Sequence, residues 1–332
     1  MDRRRFGRTE LGVPAMTYGG GWVGGLLIRG SEEERESVLD KALAAGVDWI
    51  DTAASYGDGV SETVIGEWLA KLAERERPRI STKFNLDVPA GDFEGQMFRS
   101  VEASFERLGV DRLPLIILHN RIVDDDQKGQ DARGLALSEL LGSGGVADAM
   151  DKLRAQSLCD WIGMTALGSP KALHQAVDSG RIDVAQVYYN LLNATAVSGA
   201  GADWNSTDFD GLLTHCAAQD MGVMGIRILA AGHLAATERH GREIPITANT
   251  EDAAEEARAR AVFDALGSEH GSAAQTAIRF GLNCPLLSTI EVGIGETWHL
   301  DEALKGFEMG PLPQSALDAL EGLWRDHPAF NT

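Results

Sequence analysis

Cysteine is scarce. Cys159, Cys216 and Cys284 stand far apart in 332 residues, with no CxxC pair, so neither a disulfide framework nor a zinc site is predicted. The three are expected to be small buried hydrophobes. Long apolar runs are missing too: none approaches the roughly 20 residues that span a bilayer. The opening "MDRRRFGRTELGV" has charge but not the apolar stretch of a secretory signal, so a soluble, cytoplasmic protein is expected. Basic residues are few, 30 against 50 acidic, for a formal net charge of -20. Such a surface repels phosphodiester backbones and anionic lipid, which makes nucleic acid and membrane poor expected partners. The sequence offers no metal-ligand spacing and no guide to oligomeric state.

What remains is a regular alternation. "AMTYGG" (15–20), "VDWID" (47–51), "RISTKF" (79–84), "LPLIILH" (113–119), "WIGMT" (161–165), "VAQVYY" (184–189), "GVMGIRIL" (222–229) and "LLSTIEVG" (286–293) read as strands. Amphipathic segments separate them. "SEEERESVLDKALAAG" carries a Ser31/Glu34 capping box and a Gly46 stop, and "SETVIGEWLAKL" repeats the design. "DFEGQMFRSVEASFERLG" runs from Asp92 to Gly109, and "SPKALHQAVDSG" has Ser169 as cap with Pro170 in the first turn.

Strands apolar on both faces and alternating with helices belong to a parallel sheet, and eight such units close a (β/α)8 TIM barrel. An open doubly wound sheet is the alternative, but "YGGGWVGG" (18–25) lacks the GxGxxG spacing of its nucleotide turn. Residues 3–14 are predicted to form a β-hairpin plugging the barrel's N-terminal end. Three long connections, 120–146, 190–208 and 230–252, follow strands and so fall on the C-terminal face. With 44% hydrophobic residues and no linker or repeat, residues 1–332 are expected to be one domain.

Strand ends converge at that face. Asp51 and Tyr56 follow the second strand, Lys83 ends the third and His119 the fourth. Each alone reads as a turn cap, a packed ring, a solvated charge or a satisfied histidine. Together they match a proton-transfer site. A phenol titrates near 10, and a cation within about 4–6 Å lowers it by about 1–3 units. Lys83 is that cation, Asp51 keeps it charged, and His119 donates to a substrate oxygen. These groups move a proton but carry no hydride, so a redox cofactor is required.

With these residues in "DTAASYG", "STK" and "ILHN", and with "WIGMTALGSPKAL", "AQVYYNLLN" and "TIEVGIGETWHLDEAL" in register, the chain resembles the aldo-keto reductase superfamily over nearly its whole length. The resemblance implies a barrel binding NAD or NADP across its C-terminal face, with Tyr56 as acid/base, Lys83 as its modulator, Asp51 as the lysine's partner and His119 as orienting residue. It further implies that Gln186 and Thr165 hold the nicotinamide carboxamide, that Gly21 and Trp22 approach nicotinamide and substrate, and that Gly293, Gly295, Glu296, His299 and Glu302 bind adenosine. Ala166 departs from the family's common asparagine. In "GIRILAAG", Ile226 replaces a stacking ring and Arg227 a serine, leaving Ile226 as an apolar face and Arg227 as a partner for pyrophosphate. Glu296 without a neighbouring Lys or Arg favours NAD, although Arg279 could reverse that in space.

"LHNRI", "MTALG" and "QVYYNLLNATA" look like the bacterial galactose, fucose and threo-aldose 1-dehydrogenase branch. That likeness implies a sugar substrate held by Trp22, Tyr56, His119, Arg121 and Trp204. NADPH-linked reduction of small aldehydes or ketones is the alternative, a non-catalytic nucleotide-sensing subunit a further one.

Overall fold

Eight parallel strands close on themselves in the order β3 (Met16–Gly19), β4 (Trp49–Asp51), β5 (Arg79–Phe84), β6 (Leu113–Leu118), β9 (Cys159–Thr165), β10 (Val184–Tyr188), β11 (Gly222–Ile226) and β12 (Thr289–Gly293). The computed structural model describes residues 1–21, 23–236, 241, 243 and 251–331. Outside the barrel, β1 (Arg3–Arg5) pairs antiparallel with β2 (Gly12–Pro14), and β7 (Ile122–Val123) pairs with β8 (Leu135–Ala136) in the loop after β6. No described helix is long and apolar enough to cross a membrane.

The hairpin plugs the barrel as predicted. Phe6 meets Trp49 edge-on with ring centroids 5.5 Å apart, in an inner cluster with Val13, Leu115, Ile117, Val184 and Met224. Gly7, at φ +53°, lies so close to β11 that a Cβ there would come within 2.3 Å of the Gly222 nitrogen. Apolar side chains thus fill the N-terminal half of the interior, and the polar inward residues are pushed to the C-terminal half.

Local signals fared unevenly. Ser31 accepts from the Glu34 amide while Glu34 accepts from Ser31, opening the helix Glu32–Ala44. Asp92 and Gly109 bound Phe93–Leu108. The next two predictions need correction. The helix Val60–Leu69 begins beyond Gly59, and the Ser61 hydroxyl instead bonds Gly20 O (3.1 Å) and Thr52 (2.9 Å), tying two loops together. Ser169 precedes the helix Pro170–Asp178 without capping it, because its hydroxyl donates to Asp124 at 2.5 Å. The predicted strand 222–229 ends at Ile226, where Arg227 turns into the left-handed region at φ +59°. The long connections leave β6, β10 and β11 at the C-terminal face; part of 230–252 lies outside the described residues.

Candidate active site

Register sets the site. Gly19 pairs with Asp51 and Asp51 with Ser81, so the side chains of Asp51 (end of β4) and Lys83 (β5) face each other across the barrel mouth. Lys83 Nζ forms an ion pair with Asp51 Oδ2, donates to the Thr52 carbonyl at 2.9 Å and reaches the Tyr56 hydroxyl at 3.1 Å. The ammonium also lies 4.6 Å from the Tyr56 ring centroid. Asp51 is held from behind: Ser81 Oγ donates to Oδ1 (2.6 Å), and Trp49 Nε1 donates to Ser81 (3.0 Å). His119, just past β6, meets the Tyr56 ring edge-on at 5.9 Å. The structure therefore brings Asp51, Tyr56, Lys83 and His119 together.

Burial governs their protonation. It opposes the Lys83 ammonium, but Asp51, Tyr56 and Glu291 together outweigh it and raise the lysine pKa. For Tyr56 the sequence-based expectation of a lowered pKa is corrected. Desolvation wins over the nearby Lys83, Glu291 and Asp51 push the same way, and the net direction is upward. The phenol is thus a protonated donor at neutral pH. His119 is pulled down to about 3 by burial, then by Lys83 and Arg227, so its imidazole is neutral. Its Nδ1 is buried with no hydrogen-bond partner. A proton on Nε2, aimed at the cavity, leaves Nδ1 as the bare acceptor, the tautomer we assign.

A consequence concerns acid stability. The His119 pKa is about 6.5 unfolded and about 3 folded, so the stability that neutrality confers is complete above 6.5 and lost as pH falls toward 3. Its contribution to the slope approaches about 1.4 kcal/mol per pH unit in that window. Urea unfolding of His119→Asn between pH 4 and 7 should show a shallower pH dependence than wild type; parallel curves would contradict the burial argument.

Tyr56 and His119 open into a cavity of ≈1090 Å³ that runs past Thr165, Gln186, Ile226 and Arg227 to Gly293, Gly295, Glu296, His299 and Glu302, with Asp51 and Lys83 outside its lining. Gln186 accepts from Thr165 Oγ1 (3.0 Å) and donates to Glu291 Oε2 (3.1 Å). Gly21 borders the cavity, and a Cβ built there would lie 3.6 Å from Tyr56 Cζ.

Residues 10–325 match the sequence profile of the Aldo/keto reductase family. The chain belongs to this family. It is 30% identical over 260 residues to a D-threo-aldose 1-dehydrogenase of Pseudomonas sp., covering 70% of this chain and 71% of that protein. L-galactose dehydrogenase of Arabidopsis thaliana is 24% identical over 240 residues, covering 70% and 67%. In fold, the chain is similar to an aldo-keto reductase from Bacillus halodurans in its holo form, with TM-score 0.72, 16% identity, and coverage of 97% and 96%. As an aldo-keto reductase, the protein is an NAD(P)-dependent oxidoreductase.

The cavity of this aldo-keto reductase fits such a cofactor. The Gln186 amide is fixed by Thr165 and Glu291, its Nε2 makes only a long further contact to the Met224 sulfur (4.0 Å), and its oxygen keeps one lone pair for a carboxamide. Arg227 lines the cavity, and its guanidinium makes no hydrogen bond or ion pair with the described residues. His299 Nδ1 accepts from the Gly295 and Glu296 amides (both 3.2 Å), so this side chain organises the loop entering the helix Thr297–Glu308.

Two candidates fall elsewhere, and a third, Trp22, lies outside the described residues. Arg121 is exposed, 3.5 Å from Asp131, and does not line the cavity. Trp204 stacks on Phe330 (5.8 Å) and points Nε1 at Thr207 O (3.4 Å), so it packs its own loop and the C-terminal segment. Among the cavity residues that sequence reasoning passed over, two carry chemistry. Trp298 is 58% exposed at the far end, and its signal was a lone tryptophan in the first turn of a helix. Glu291 is an acid inside the apolar strand "TIEVG", which was signal enough.

Proposed function

We propose that this aldo-keto reductase oxidises a sugar at its anomeric carbon, converting a lactol to a lactone with NAD as hydride acceptor. One observation carries the chemistry: Lys83 Nζ touches Asp51 and the Tyr56 hydroxyl at once, beside His119, at the cavity mouth. When bound, the nicotinamide dinucleotide supplies the hydride chemistry these side chains lack. Tyr56 first releases its own proton to solvent, Lys83 favouring the resulting phenolate, and the phenolate then takes the anomeric hydroxyl proton. His119 Nε2–H holds the same substrate oxygen. Support for a sugar comes from the names of the two dehydrogenases above, each spanning about 70% of this chain. The substrate is thus a dissolved small molecule, and we place the enzyme in the cytoplasm.

Gln186 and Thr165 would hold the carboxamide, Ile226 the apolar face of the ring, and Arg227 the pyrophosphate. Glu296 and Glu302 line the adenosine end, where a carboxylate bonds a ribose hydroxyl and repels a 2'-phosphate. Arg279, the cation that could reverse this, donates to the Gly310, His270 and Pro311 carbonyls and is already occupied. Carbonyl reduction remains the second reading, favoured by the upward-shifted Tyr56, which is the proton donor that direction needs.

The test is a matrix of NAD, NADP and their reduced forms against aldoses, uronates and small aldehydes, followed by nicotinamide absorbance. Aldose oxidation should exceed every other pairing, with kcat/KM at least about tenfold higher for NAD than for NADP, the discrimination of one misplaced charge contact. No aldose oxidation with either dinucleotide would overturn it in favour of carbonyl reduction.

A further inference from the structure

Among the described residues, the barrel mouth holds two carboxyls, Asp51 and Glu291, around a single lysine. Glu291 sits on β12 opposite Thr17, and Gly293 pairs with Gly19, which pairs in turn with Asp51. Asp51 and Glu291 therefore approach from strands on either side of β3. Gly19 makes this possible: a Cβ there would lie 3.2 Å from both Cγ and Oε1 of Glu291. Lys83 is committed to Asp51, Thr52 O and Tyr56. Glu291 thus meets a second acid without a cation of its own.

We propose that Glu291 is a positioning residue that works as a neutral acid, donating its proton to Asp51 while its other oxygen accepts from Gln186, and so couples the nicotinamide-binding amide to the Asp51–Lys83–Tyr56 group. Two carboxyls sharing one site cannot both ionise cheaply, and the member lacking a cation keeps the proton. The groups facing Glu291 are Asp51 on β4, Lys83 on β5, Tyr56 beyond β4 and Arg227 beyond β11. Burial, then Asp51 by its charge, outweigh Lys83 and Arg227 and hold the Glu291 carboxyl well above the ordinary range. The proton has a use. An ionised Glu291 pushes the Tyr56 phenol further upward, whereas a neutral one spares the phenol that charge and still fixes Gln186, whose close contacts to Thr165 and Glu291 set which edge of the amide faces the cavity.

This proposal rests on the dinucleotide occupying the cavity, and its test needs no sugar. Infrared difference spectra of wild type against Glu291→Gln at pH 7 should show one protonated carboxyl band that the variant lacks. Glu291→Leu should bind NADH or NADPH, whichever wild type binds more tightly, about tenfold less well, the loss of one hydrogen bond that oriented the amide. Glu291→Gln, which can still donate to Asp51 and accept from Gln186, should recover that affinity to within about threefold of wild type. Absence of the band, or a Gln variant as weak as the Leu variant, overturns the proposal. A band and an affinity pattern as described, in a protein that oxidises no aldose, would uphold Glu291 and remove the sugar substrate instead.

Discussion

Tyr56→Phe should bind nicotinamide dinucleotide with an affinity within about threefold of wild type and lose about 10²–10⁴ in kcat, the range that a positioned proton-transfer group supplies. The ring stays. Its edge-on contact with His119 and its face toward Lys83 need only the aromatic system. What disappears is the hydroxyl 3.1 Å from Lys83 Nζ, the one oxygen in this group that can both give and take a proton next to a substrate oxygen. Lys83 keeps Asp51 and the Thr52 carbonyl, so folding should be little disturbed. Single-turnover absorbance with saturating dinucleotide separates the effects, since a loss in the chemical step lowers the transient and a binding defect moves only its concentration dependence. A kcat within tenfold of wild type would mean that another group moves the proton.

Lys83→Met reaches further because it damages stability as well as turnover. The lysine side chain is 1% exposed and its Asp51 partner 0%, so removal of the ammonium leaves a buried carboxylate without its counter-ion. Breaking one side of such a pair costs about 3–5 kcal/mol. Because the lysine pKa is raised in the fold, the pair's contribution is fully present below the unfolded value and lost only as pH rises through the folded one. The destabilisation should therefore be constant through neutrality. Urea unfolding at pH 7 measures it, and adding Asp51→Asn should return part of the loss by deleting the stranded charge. If Lys83→Met were within about 1 kcal/mol of wild type, the pair would be no more than a surface-grade contact.

The two substitutions probe a site whose parts were unequally legible in the sequence. Strand ends betrayed Asp51, Lys83 and His119 because parallel strands must present their C-terminal residues to one face, whatever the detailed register. The hairpin plug and the Ser31–Glu34 box were likewise local patterns with a single physical outcome. Ser61 and Ser169 had the same capping chemistry, yet tertiary partners, Gly20 O and Asp124, claimed their hydroxyls. Arg121 and Trp204 lie away from the cavity lining because a loop's path is set by what it packs on, here Asp131 and Phe330. The direction of the Tyr56 shift was missed for a similar reason. A nearby cation is visible in sequence spacing, whereas the depth of burial that opposes it is a property of the closed barrel. Glu291 was visible as a charge in an apolar strand but acquired meaning only once Gly19 was seen to leave room beside Asp51.

The central claim is that the Asp51–Lys83–Tyr56–His119 group takes a proton from an anomeric hydroxyl while hydride leaves the same carbon. It is tested most directly by incubating the protein with its preferred dinucleotide and the best aldose from the panel, deuterated at the anomeric carbon, and analysing the dinucleotide by mass spectrometry and NMR. The account predicts one deuterium on the reduced nicotinamide ring per lactone formed, and none with Tyr56→Phe over the same interval. Lactone appearing without label on the nicotinamide, or label transferred equally well by Tyr56→Phe, would contradict it.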